Sequence, residues 1–410
     1  MTSPPDSSTA ELSEAEDLMR AGNSEAAVQI LLKIVERETD PQALFMLASS
    51  YLELGQYDEA FRRASFAVEF EPSSAPARDL LAKINLARGD YASALSDYDT
   101  LAALCREQRP TPPAQYSIPV HFALRNLEQL DHIVTANRDK RASTGALAEQ
   151  LDGLRRGLAD VLDGAKGEAP WVSVDGSSTR LFADPPFFKV PEEKLPSYLN
   201  PDVDYEPIRQ AISTGQLKAE IIDGFLTPDA LAQVRKFCLE STVWRHPYKF
   251  GYVGAFPQDG FASTLLFAVA EELEAALGDA FDGYQLAQWW AFEYDTRLPG
   301  TDIHGDDADF SLNLWITPDS ANLDPSTGGL VVWDKTAPSD WSFDDYNSGG
   351  ERVRQYLRDT NAESTTISYR ENRAVLFKGH LFHRTDDFTF APGFANRRRS
   401  VTFLFRRSKR

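Results

Sequence analysis

The chain has 410 residues, 42% of them hydrophobic and 25% charged, and a formal net charge of −20. That length accommodates two or three globular domains with ordinary cores. A surface this acidic repels phosphate backbones and anionic lipid, so general nucleic-acid or membrane-surface binding is not expected. The two cysteines, Cys105 and Cys238, lie far apart and have no metal-type spacing, so they read as free thiols of a reducing compartment. Residues 1–10 read as a disordered polar tail without the apolar stretch of a signal peptide, and no run of about 18 apolar residues occurs. The expected location is cytoplasmic.

Residues 11–108 repeat. Gly55-Gln-Tyr57-Asp-Glu-Ala60 recurs 34 residues later as Gly89-Asp-Tyr91-Ala-Ser-Ala94, and Gly22 to Ala27 precedes it by 33. Leu44, Leu47, Ala48 and Tyr51 follow helical spacing, as do Leu80, Leu81, Ile84 and Leu86. A 34-residue period with helix–turn–helix patterning is the mark of tetratricopeptide repeats. About three are expected, with Gly and Ala letting helices approach closely. Each hairpin leaves an apolar face for the next to cover, and the stack offers a surface for a protein or peptide partner or for assembly.

Arg109 to Pro113 interrupts the pattern. Residues 117–163 read as a two-helix bridge, with one stripe of Leu124, Leu127, Leu130 and Ile133. The other stripe is Leu147, Leu151, Leu154, Leu158 and Leu162. Residues 164–219, rich in Gly, Pro and Ser over their first part, read as linker.

Residues 220–410 change texture. Thr227-Pro228 starts a helix, Thr as N-cap and Pro at the first helical position, and a second helix is expected from about Ser263 to Leu277. Short runs of β-formers follow at 285–295, 311–316, 329–333, 365–369, 373–377 and 399–405. The expected class is α+β, a helical repeat array followed by a jelly roll with helices on one face.

The chemistry-bearing motif lies in this half. His304-Gly305-Asp306 is expected near a strand start, where residues two apart share a side. His383 comes 77 residues after Asp306. Two histidines and one carboxylate form the facial triad of non-haem Fe(II) oxygenases, leaving positions for a bidentate co-substrate and O2. Downstream, Arg398 and Ser400 share a strand face, and a guanidinium fork suits the distal carboxylate of 2-oxoglutarate. His380 competes with His383 for the metal, and Asp307 and Asp309 compete with Asp306. Arg397 and Arg399 are expected on the opposite face as surface charge. Most tryptophans are expected in the core.

His304 to Asp306, Leu312 to Asp319, Asn322 to Pro325, Gly328 to Trp333, Asn372 to Phe377, Leu381 to His383 and Asn396 to Ser400 together resemble the prolyl-hydroxylase-like branch of the 2-oxoglutarate oxygenases. The chain resembles bacterial members carrying tetratricopeptide repeats. The resemblance implies a double-stranded β-helix that holds Fe(II) and 2-oxoglutarate. It also implies Tyr294, ten residues before His304, as a co-substrate contact; Asn313 is a further candidate pocket residue. The expected activity is hydroxylation, since related halogenases lack the carboxylate that Asp306 supplies. The substrate is a protein or peptide recruited by the repeats, or a small molecule with the repeats serving assembly. From another class altogether, the domain is a non-catalytic binding module.

Overall fold

The computed structural model describes residues 7–110, 115–136, 148–149, 152–153, 156, 171–175, 187–248, 251–295 and 300–408. Two compact units emerge. One contains Met1–Gln108 with Asp282–Ala287 and Phe405–Arg410; the other contains Arg109–Phe281 and Gln288–Leu404. Among the described residues, no helix is long and apolar enough to cross a membrane.

The first unit is an array of three helical hairpins. They pair α1 (Ser7–Arg20) with α2 (Ser24–Arg37), α3 (Pro41–Glu53) with α4 (Tyr57–Phe70), and α5 (Ala75–Ala87) with α6 (Tyr91–Glu107). Helix α1 begins inside the segment expected to be tail; the rest of that tail, 1–6, lies outside the described residues. Asp40, Ser74 and Asp90 cap the N-termini of α3, α5 and α6 through their side chains. Ala27, Ala60 and Ala94 are fully buried where paired helices meet.

The repeated glycines have a different role from the one expected of them. Gly22, Gly55 and Gly89 take φ of +76°, +71° and +74° at the inter-helix turns, and a Cβ on Gly22 or Gly89 would meet nothing within 4 Å. Left-handed backbone, not close approach, therefore selects glycine there. Gly89→Ala is expected to destabilise the array by roughly 1–2 kcal/mol, read as a lower urea midpoint with unchanged slope.

In the second unit, the bridge segment gives β1 (Gln115–Pro119) and α7 (Val120–Ala136), and β1 pairs antiparallel with β2 (Trp171–Asp175). The expected second stripe, Leu147 to Leu162, lies outside the described residues. The expected linker contains β2 and α8 (Glu206–Ser213), so 164–219 is not wholly irregular. Then come β3 (Ala219–Ile222), α9 (Pro228–Glu240), β4 (Trp244–Pro247), β5 (Tyr252–Ala255) and α10 (Thr264–Leu277). Thr227 and Ser263 cap α9 and α10, each accepting from the backbone N–H three residues on. The remaining strands are β6 (Tyr284–Tyr294, up to Ala287 counted with the first unit), β7 (Phe310–Trp315), β8 (Leu330–Thr336), β9 (Ser364–Ile367), β10 (Ala374–Lys378), β11 (Leu381–Thr385) and β12 (Arg398–Arg407, from Phe405 counted with the first unit). Helices α11 (Phe343–Asn347) and α12 (Gly350–Asp359) are inserted between β8 and β9.

The strands form a mostly antiparallel seven-stranded sheet, β3-β10-β7-β12-β6-β5-β4, and a three-stranded sheet, β11-β8-β9. Trp315 and Phe377 of the large sheet and Leu330, Val332, Ile367 and Leu381 of the small one share a single apolar core. The other face of the large sheet is covered by helices. Phe267 of α10 meets Trp289 of β6 edge to face at 4.9 Å, and Gln129 of α7 donates to the carbonyls of Leu239 and Ser241. Strand β12 is therefore buried on both sides over most of its length, and β6 is buried at its end, at Glu293 and Tyr294. Arg399, expected at the surface, is 2% exposed and paired with Glu293 at 2.8 Å, because a helix-covered sheet has no solvent face there.

Candidate metal centre

His304, Asp306 and His383 converge, with one potential ligand atom from each lying within 4.8 Å of the others. The convergence does not arise from one regular strand. Strand β7 begins only at Phe310, and His304 sits in an isolated antiparallel bridge opposite His383. The two histidines exchange backbone hydrogen bonds: His304 N–H donates to the His383 carbonyl at 3.0 Å and His383 N–H to that of His304 at 2.8 Å. Asp306 N–H donates to the Gly379 carbonyl at 2.9 Å, closing the turn from the same side. The alternatives separate by burial: Asp307 and His380 are exposed, whereas Asp306 and His383 are buried.

The protonation pattern suits cation binding. His304 Nδ1 lies 2.8 Å from the Asp302 carbonyl and His383 Nδ1 lies 2.9 Å from the Leu381 carbonyl. A carbonyl only accepts, so each Nδ1 carries the proton and each Nε2 presents its lone pair. Those Nε2 atoms lie 3.7 and 3.5 Å from the two oxygens of Asp306. Burial, reinforced by neighbouring His304, pushes the His383 imidazole down to about 4 although Asp306 pulls the other way, so it is neutral at physiological pH. Ser311 Oγ donates to Asp306 Oδ2 at 2.7 Å and leaves Oδ1 facing His304.

Tyr294 and Asn313 line the same cavity as the triad, with Trp290, Phe292, Thr385 and Thr402 completing most of its wall. Arg398 and Ser400 do not line it, although both are buried. The Arg398 guanidinium lies 4.7 Å above the Tyr294 ring, and its Nε and Nη2 donate to the carbonyls of Gly328 and Gly329 at 2.7 and 3.1 Å. Among the described residues its Nη1 is buried without a partner, as are Asn313 Oδ1 and Trp290 Nε1. Three orphaned polar atoms in and behind one cavity are a cost the fold bears unless a polar ligand meets them. The cavity has a volume of about 30 Å³, room for roughly two waters. A five-carbon diacid enters only if the Tyr294–Arg398 wall shifts.

Several of these residues were not singled out from sequence. Trp290, expected in the core, and Phe292 share a strand face with Tyr294, and Thr402 shares one with Arg398 and Ser400, so extending the period-2 alternation finds them. Ser311 and Thr385 carry no such signal; their roles depend on which turn they face.

No protein-family model matches the chain, and no curated protein does either. Among solved structures, it is similar to PcrH in complex with the chaperone binding region of PopB, at 20% identity over 26% of this chain and 86% of that one, TM-score 0.25. It is also similar to the second TPR of Spaghetti (RPAP3) bound to an HSP90 peptide, at 18% identity over 24% and 91%, TM-score 0.23. A third is the TPR2B-domain:pHsp70 complex of yeast Sti1, at 22% identity over 25% and 82%, TM-score 0.24. The tetratricopeptide-like character of the N-terminal array rests on its own period and turn geometry.

Proposed function

We propose that the chain is an Fe(II)- and 2-oxoglutarate-dependent hydroxylase built on a double-stranded β-helix. The observation that carries the reading is the His304–Asp306–His383 cluster, with both Nε2 lone pairs and Asp306 Oδ1 converging inside a cavity between two sheets. Two imidazoles and one carboxylate suit Fe(II) and leave the metal further positions. Bound iron with 2-oxoglutarate and O2 would supply conversion of a C–H bond to an alcohol, with succinate and CO2 as co-products. The protein's own part is geometric. Asp302, Leu381 and Ser311 fix the three ligands in orientation. Arg398 Nη1, orphaned behind Tyr294, is the donor for the distal carboxylate of the co-substrate, and Trp290, Phe292 and Tyr294 exclude water. The repeats supply an extended surface for a protein or peptide substrate.

Anaerobic visible spectroscopy tests this. Purified chain with Fe(II) and 2-oxoglutarate is expected to show a metal-to-co-substrate charge-transfer band that His304→Ala lacks. Folded wild-type protein with excess of both ligands and no band would sink the assignment.

A further inference from the structure

A second cavity, of about 540 Å³, lies on the outer face of the small sheet under α12. Its apolar floor includes Ile303, Trp333 and Leu357, and its rim carries Arg354, Arg358 and Arg384. Ile303 and Arg384 are chain neighbours of His304 and His383. Trp333 packs with Ile303 and Leu357 in a separate outer cluster, while the adjacent Val332 faces the core between the sheets. This space is therefore distinct from the triad cavity.

The charged side chains that line it are all arginines. Three arginines line one cavity in a protein of net charge −20, and no carboxylate is among its described lining residues. The acids that pair with these arginines do not line the cavity: Asp302 with Arg354, Glu351 with Arg354 and Arg358, and Asp387 with Arg384. Those pairs leave donors over. Among the described residues Arg358 bonds through Nη2 alone, towards Glu351 and Gln355, and Arg384 through Nη1 alone, towards the Thr385 carbonyl and Asp387. Each guanidinium has five N–H groups in a fork that matches a carboxylate.

We propose that this cavity binds a small amphipathic carboxylate, its apolar body on Trp333 and Leu357 and its carboxylate between Arg358 and Arg384. The volume lies within the range of about 300–1,000 Å³ usual for small-molecule sites. The site is also wired to the metal turn. Arg354 pairs with Asp302, whose carbonyl holds His304 Nδ1. Beside it, the Tyr346 carbonyl accepts from Gly305 N–H and Asn347 Nδ2 donates to the Gly305 carbonyl. An occupant of this cavity thus bears on the turn that presents His304 and Asp306.

The test uses the iron-free full-length chain, so it succeeds or fails independently of the oxygenase reading. Isothermal titration with 4-phenylbutyrate is compared with its uncharged amide. The acid is expected to bind once per chain, at least about tenfold more tightly than the amide, since charge-assisted hydrogen bonds supply the difference. Arg358→Gln with Arg384→Gln should erase that preference; Arg358 is exposed at 56% and Arg384 half-buried at 33%, neither in a core, and a circular-dichroism melt like that of the wild type checks that the fold is kept. Excess 2-oxoglutarate should not displace the acid. Absence of acid binding, equal binding of acid and amide, unchanged binding by the double variant, or displacement by 2-oxoglutarate would each overturn the proposal.

Discussion

Asp306→Ala is expected to lower Fe(II) affinity by more than about 100-fold and to bring 2-oxoglutarate turnover to background. Loss of an outer partner of a metal ligand typically costs about 10–100-fold, and loss of the ligand itself lies at or beyond that limit. His383→Ala should match it. Asp307→Ala and His380→Ala should leave both quantities unchanged, because those side chains are exposed and outside the cluster. Ser311→Ala should fall between, at about tenfold weaker binding, since its hydroxyl donates to Asp306 Oδ2 at 2.7 Å and fixes which oxygen faces His304. Chelator competition measures the affinity, and succinate formation measures turnover. Loss of iron in Asp307→Ala with retention in Asp306→Ala would move the carboxylate assignment by one residue and require the turn to reorganise on metal binding.

The sequence displays the parts of this protein that obey simple periods. The 34-residue shift between Gly55 and Gly89 announces the hairpins, and Thr227 and Ser263 mark helix starts because capping is a local interaction. The spacing of His304, Asp306 and His383 could be read, but not the reason they meet. That reason is a non-local backbone bridge between His304 and His383, in a segment too irregular to be a strand. Helices α11 and α12 are hard to see because they are short and mostly polar; only Val353 and Leu357 of α12, four residues apart, are buried. The misplacement of Arg399 has the same kind of origin. Alternation separates inside from outside only when one sheet face meets water, and β12 is buried along nearly its whole length.

That buried face yields the largest stability effect. Glu293 is 1% exposed on the side of β6 opposite Phe292 and Tyr294. Arg399 pairs with it at 2.8 Å, Arg125 of α7 at 3.3 Å and Arg397 at 3.8 Å, while Arg397 also pairs with Glu128 at 2.6 Å. Burial alone would push the Glu293 carboxyl up, but Arg399, Arg125 and Arg397 together outweigh it and hold it below the usual range. Burial brings Arg125 down to about 10, so it too is charged at neutral pH. Glu293→Gln leaves these guanidinium groups without their common anion, and breaking a buried pair from one side costs about 3–5 kcal/mol. Urea unfolding should show that loss at pH 7. The pH dependence gives an independent check. A carboxyl depressed in the folded state contributes stability that is present above its ordinary value of 4.5 and lost as pH falls through the depressed one. The wild type should therefore lose this increment on acidification and Glu293→Gln should not, so their stabilities converge at low pH. Replacing Glu293, Arg125 and Arg399 together by apolar residues of similar volume should recover most of the loss, because desolvation of the charges disappears with them. Recovery with a normal iron affinity would make the cluster a removable support behind the pocket wall. Recovery with weakened iron binding would show that the charges also fix the register of β6 and β12, the strands that carry Tyr294 and Arg398.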